Sequence, residues 1–244
     1  MESVKVCIGQ CDSVENILNA FFNIVGEETE FDNSRVDSNL FNMLLTVWNT
    51  KKYFSKISIP YELKDVNDSI IVQQIIKNIQ QFAPVCYHSY IHYLLGELIC
   101  NIQQHSKANN AWFDLWYNNA LNSIELCVVD DGISIHGSYI ENNVYCDKLE
   151  YGDASAINIA RCGYSTKNRP AAENRGFGIS TNVKIITDVL DGVFSICSGN
   201  ALFLKDGHKA KILVLPKGIE WKGTIVIARL SLDNSQFNMY DYIY

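Results

Sequence analysis

The sequence predicts an α+β fold, a two-layer α/β sandwich with a mixed, largely antiparallel sheet covered by helices on one face. A small N-terminal α/β unit precedes it. Three observations carry this reading. First, Ile91, Leu94, Leu95, Leu98, Ile99 and Ile102 recur at i, i+3, i+4, i+7, i+8 and i+11 within 90–106. That is the apolar stripe of an amphipathic helix packed on something large. Second, strand-like runs at 111–118 and 123–131 are separated only by a short turn over 118–122, and four more runs (193–199, 201–205, 210–215 and 223–232) close the domain. Turns this short join antiparallel strands, because a parallel pair needs a long crossover. Third, the helical runs at 153–163 and 178–192 fall together between the two sets of strands, which excludes a parallel βαβ order.

The elements follow in order. Residues 4–9 alternate like a short strand, and 13–26 carry helical spacing with Ser13 as N-cap and Gly26 as stop. Residues 32–37 are turn-like, 38–54 form a second amphipathic helix, and 56–60 read as a strand closed by Pro60. A third helix over 73–81 ends near Pro84 and completes an N-terminal region, 1–84. The main domain spans 85–232. Within it, 132–153 reads as a loop rich in Gly, Asn and Asp, and 165–176 as a polar, irregular segment. Residues 233–244 form a tyrosine-rich tail with no clear period.

The chain has 244 residues, 48% of them hydrophobic and 19% charged, which is ample material for a core. A formal net charge of −7 without a compensating basic face argues against nucleic acid or a membrane surface as partner. No apolar run reaches the roughly 18 residues of a membrane span, and the N-terminus lacks the pattern of a signal peptide. The expectation is a cytoplasmic protein. Eight cysteines without a CxxC pair read as reduced, mostly buried small hydrophobes. His88 and His92 are four apart but lack a nearby third ligand, so they are not read as a zinc site.

Three stretches carry chemistry. Glu97, Asn101 and His105 are four apart and stack in one row at the edge of the apolar stripe. Asp130 ends an apolar strand, with Gly132 two residues on. Gly176, Phe177 and Gly178 open a helix. A carboxylate at a strand end can accept a hydrogen bond from an exocyclic amine such as that of adenine. Glycines just past it let a planar ring lie against bare backbone. Glycines before a helix expose N–H groups and the positive dipole end to phosphates. Asparagine offers a neutral oxygen to Mg²⁺, which prefers oxygen ligands and keeps several waters. Among nucleotide motifs, GxxxxGK[ST] is absent and RGFGIS lacks the third glycine of a dinucleotide fingerprint.

In this order and spacing the set resembles the GHKL superfamily of ATP-binding domains, which includes gyrase, heat-shock chaperones, histidine kinases and anti-sigma-factor serine kinases. The resemblance covers about residues 85–232. It implies ATP or ADP with Mg²⁺ held between helices and sheet, under the 163–176 segment as a lid. Glu97 and Asn101 then fall on the N-box, with Glu97 as catalytic base and Asn101 as metal ligand. Asp130 to Gly132 match the first glycine box, and Gly176, Phe177 and Gly178 the second. Thr224, after Gly223, looks like the threonine that helps hold adenine. Arg175 is the implied phosphate contact, preceded by Glu173, with Thr166, Lys167 and Arg169 in the lid. One departure is Ser134, which stands where the family's second glycine is usual.

Residues 1–80 contain no histidine, which removes a histidine kinase's phosphoacceptor hairpin from consideration. The resemblance is therefore to stand-alone domains of the anti-sigma kinase kind, and the N-terminal unit is similar in element order to STAS-like modules. What this implies is a slow ATPase or protein kinase with a regulatory protein partner, a homodimer being one option. The alternative is a switch or binding module that binds ATP without useful turnover.

Overall fold

The organising helix, α1 (Val85–Asn101), starts directly after Pro84, its N-cap, whose fixed φ and missing N–H keep it from continuing a helix from the N-terminal side. The computed structural model describes residues 72–73, 76–77, 79–109, 111–166, 177–207, 209–215 and 220–243. The elements expected over 4–60 lie outside these residues. At 72–73 and 76–77 the chain is helical, in keeping with the expected third helix, and 79–82 is turn. The predicted stripe of α1 is buried along its whole length, and its last member, Ile102, opens a π turn (Ile102–Ser106).

Strands β1 (Ala111–Asn118) and β2 (Ser123–Asp130) form the expected hairpin. Asn118 turns the chain by accepting hydrogen bonds from the Ala120 and Leu121 amides. Residues 132–153, read from sequence as a loop, instead hold α2 (Ser134–Glu141) and a 3-10 turn (Cys146–Lys148). Only two side chains of α2, Ser138 and Tyr139, are buried, and Gly137 sits in its middle. So short and weakly patterned a helix takes its stability from the sheet it packs on, and that is not visible locally. Helix α3 (Asp153–Arg161) ends where expected, with Gly163 at φ +89°. Helix α4 (Phe177–Lys184) continues into a second π turn (Ile185–Val189).

The closing strands are β3 (Val193–Gly199), β4 (Ala201–Asp206), β5 (Lys209–Val214) and β6 (Trp221–Ser231). The six-stranded sheet has the order β1-β2-β6-β3-β4-β5. Every pairing among the described residues is antiparallel. The last strand is inserted between β2 and β3, which puts Asp130 directly opposite Thr224 and Ser198 opposite Thr224 on the other side.

The α1 stripe packs on one sheet face through Phe113, Leu126, Val128, Phe194, Ile196, Val226 and Ala228. Helices α2 and α3 lie against the β3 and β4 region of the sheet, and α4 packs on α1 and α3. On the other face Glu125 is fully buried and accepts from Trp116 Nε1 at 3.0 Å, Asn118 Nδ2 at 3.0 Å and Arg229 Nε at 3.1 Å. Among the described residues no helix is long and apolar enough to cross a membrane. The six described cysteines are free thiols, but only Cys127 and Cys197 are buried; Cys146 and Cys162 are exposed on short turns, against the expectation of mostly buried positions. Cys7 and Cys11 lie outside the described residues.

Candidate functional site

Tyr93, Glu97, Asn101 and His105, each four residues from the last, line a cavity of about 380 Å³ between α1 and the sheet. The row read from sequence thus gains a member at its N-terminal end. His105 keeps its place although the chain has passed from α-helix into the π turn. The sheet side of the cavity is built by Val128 and Asp130 of β2, Thr224 and Val226 of β6 and Ile196 of β3. Leu98, Ile102, Val128, Ile196 and Val226 make apolar walls between two polar ends.

At one end is Asp130, 3% exposed. Its Oδ1 accepts the Gly132 amide at 2.9 Å, and Thr224 also hydrogen-bonds the carboxylate. Burial pushes the carboxyl up to about 7, against the lowering effect of these bonds, and the neighbouring Asp131 adds to the rise. Three local devices hold this end. A Cβ on Gly132 would lie 2.2 Å from the Ser106 carbonyl, and the Ile133 amide donates to that carbonyl at 2.8 Å. A Cβ on Gly223 would lie 2.0 Å from the Asp130 carbonyl, which also accepts Trp221 Nε1 at 3.0 Å. Ser198 Oγ donates to the Gly223 carbonyl and accepts the Ile135 amide, both at 2.9 Å, tying β3, β6 and α2 together. Gly132 is not itself a cavity wall. Ser134, at the departure from the glycine pattern, lines the cavity at φ +65°, the left-handed region that glycine adopts freely.

At the other end α4 begins against α1. A Cβ on Gly178 would lie 2.6 Å from Glu97 Oε2 and 3.8 Å from Asn101 Nδ2. The bare glycine leaves the first turn of α4 directly against the Glu97 carboxylate, and that turn carries amides without intrahelical partners. Tyr90, one turn before Tyr93, donates from its hydroxyl to Asn182 Oδ1 at 3.1 Å and locks the two helices together inside the core.

Residues 163–166 cross the cavity between these ends. Thr166 Oγ1 is 2.6 Å from His105 Nδ1 and 3.5 Å from Ser138 Oγ. The Tyr139 hydroxyl donates to the Tyr164 carbonyl at 2.5 Å, and the Tyr164 ring meets Tyr145 edge-on.

Of the residues expected from sequence, Glu97, Asn101, Asp130, Gly178 and Thr224 line this one cavity, as does Thr166. Phe177 begins α4. Arg175, Gly176, Lys167, Arg169 and Glu173 lie outside the described residues. Sequence reading missed Tyr93, Ser138 and Tyr139. Tyr93 was discoverable, since it extends the four-residue spacing by one turn. Ser138 and Tyr139 reach the site on the unforeseen helix α2.

No protein-family model matches this chain, and no curated protein matches it.

The donor set bears on a metal ion. No cluster of three or more His, Cys, Asp or Glu that could hold one occurs among the described residues. Mg²⁺ does not need such a cluster, since it commonly takes one or two protein oxygens and completes its shell with phosphate oxygens and water. The Asn101 carboxamide, on the cavity wall, fits that requirement with its one oxygen.

Proposed function

We propose that the chain is an ATP- and Mg²⁺-binding regulatory protein of the GHKL type, with residues 85–232 as its nucleotide-binding domain. One observation carries the reading. Glu97 and Asn101 from α1, Asp130 with Thr224 at the strand end, and Gly178 at the start of α4 meet on a single cavity although they are far apart in sequence. Chemically, the two ends ask for different things. The buried Asp130 carboxyl suits an exocyclic amine on a flat ring that the apolar walls can sandwich. The open α4 amides suit phosphate oxygens, and Asn101 would hold Mg²⁺ beside them. When bound, the ion would neutralise charge on the phosphates.

The retained carboxylate at position 97 favours an enzyme, a slow ATPase or protein kinase, over a switch that only binds. Phosphoryl transfer asks mainly for positioning and charge, and Glu97 stands where it can orient a nucleophile and accept its proton. The same reading carries a cytoplasmic location and a protein partner or substrate.

The test is native mass spectrometry of the purified protein, followed by thermal shift with ATP in Mg²⁺ and in EDTA. A copurified nucleotide mass and a metal-dependent stabilisation are expected. Glu97→Ala should then bind ATP like the parent and release phosphate about 10²–10⁴-fold more slowly. No shift with any adenine nucleotide removes the ATP reading. Equal phosphate release by parent and variant removes only the enzyme and leaves the ATP-dependent switch.

A further inference from the structure

The segment after β6, which has no readable period, is folded and reaches the cavity. Asn234 exchanges two hydrogen bonds with the Tyr87 hydroxyl, each 3.2 Å, through its carbonyl and its amide. The Phe237 ring is 3% exposed and packs against Tyr87 at 5.2 Å and edge-on against Tyr90 at 5.5 Å. Asn238 caps a 3-10 turn (Met239–Asp241) by accepting the Tyr240 amide, and Met239 beneath it is buried. That turn brings the Tyr242 ring back over Phe237, 6.2 Å away and nearly parallel. Ile243 is the next residue, half-buried against the core, and it lines the cavity. Ile243 thus shares the cavity wall with Tyr93 and Glu97, the α1 residues that follow Tyr90. Tyr90 in turn holds Asn182 of α4, so one packed path joins the segment to the helix that starts beside Glu97.

We propose that residues 233–243 are a strap that completes the Glu97 end of the site, so that strap docking and occupancy of the cavity stabilise each other. A ligand that fills the cavity gains the Ile243 wall only while the strap is docked, and that difference in affinity is what shifts the strap toward its docked state. The effect on nucleotide rests on the ATP reading above; the docking of the strap on α1 and its support of α4 do not.

The test uses the full chain, with Ile243→Asp at the half-buried end and Phe237→Ala at the anchor. Hydrogen exchange is followed over 237–243 and 178–183, and ATP with Mg²⁺ is titrated by calorimetry. In the parent, MgATP should slow exchange over 237–243. Ile243→Asp should keep the fold and weaken MgATP about tenfold or more. Without nucleotide, both variants should speed exchange over 178–183. If MgATP binds the parent and Ile243→Asp equally and leaves 237–243 unchanged, the strap is overturned and the nucleotide site stands. If MgATP binds neither chain, the nucleotide reading falls, and ligand-free exchange over 178–183 decides the strap: faster in Ile243→Asp supports it, unchanged overturns it.

Discussion

Asp130 is a buried acid at odds with its surroundings. Its carboxyl sits at about 7 when folded, well above the ordinary Asp value of 3.8. The folded state therefore holds this proton more tightly than the unfolded chain does. That contribution to stability is fully present below about pH 4 and is lost as pH rises to about 7, at up to roughly 1.4 kcal/mol per pH unit. Asp130→Asn, neutral at every pH, should flatten this slope and raise the ligand-free melting temperature at pH 8. The same change should weaken ATP by about ten- to a hundredfold, since the charge-assisted bond to an amine is worth roughly 1.5–3 kcal/mol. An amine donor favours the ionised carboxyl, so parent affinity should rise between pH 6 and pH 8 and binding should release a proton. Denaturation curves and calorimetry at the two pH values read both effects. A parent affinity flat across that range, matched by Asp130→Asn, puts the amine elsewhere. Such a residue costs the free protein stability and repays it only when a ligand arrives, which is the signature of a functional position.

Two helices make the other end of the site, and their contact is set by one missing side chain. Gly178 brings the first turn of α4 against Glu97 and Asn101. Gly178→Ala places a methyl group 2.6 Å from Glu97 Oε2. The carboxylate tip is flexible enough to move aside, so the fold should survive. Alanine also favours a helix by up to about 1 kcal/mol over glycine. Turnover is another matter, because a misplacement of about 1 Å can cost roughly 10²-fold. We expect Gly178→Ala to melt within a few degrees of the parent and to lose phosphate release by about that factor. Retained turnover would mean that Glu97 does not act from this position. Much of this end was legible in the sequence: the 3.6-residue period of α1 and the i, i+4 row of Glu97 and Asn101 are local properties. Helix α2 was not legible. Gly137 and a two-residue buried face give it little helical signal of its own, and it forms because β3 and β6 supply a surface and Ser198 binds its Ile135 amide.

For the whole molecule, the most demanding feature of the sheet is the ion pair on the face opposite α1. Glu125 is fully buried, and burial raises its carboxyl even though Arg229, Asn118 and Trp116 all bind it. Arg229 Nη2 is buried without a hydrogen-bond partner. Removing one member of such a pair leaves the other desolvated and uncompensated. Glu125→Ala should therefore destabilise the protein by about 3–5 kcal/mol, and adding Arg229→Met should restore most of it. Urea denaturation of the single and double variants measures the coupling; simple additivity of the two losses would rule out a direct pairing.

By itself the sequence determined the strands between 111 and 232 to within about two residues at their ends, the antiparallel hairpins and the apolar stripe of α1. Periodicity and turn chemistry are short-range, and they are written in consecutive residues. Only the tertiary structure decided that β6 inserts between β2 and β3, which sets Thr224 beside Asp130 across 94 residues of chain. It alone folded α2 and brought the tyrosine-rich segment back onto α1. Each of these depends on which distant surfaces bury one another. That choice is made by the total apolar area removed from water, a quantity that no single window of sequence contains.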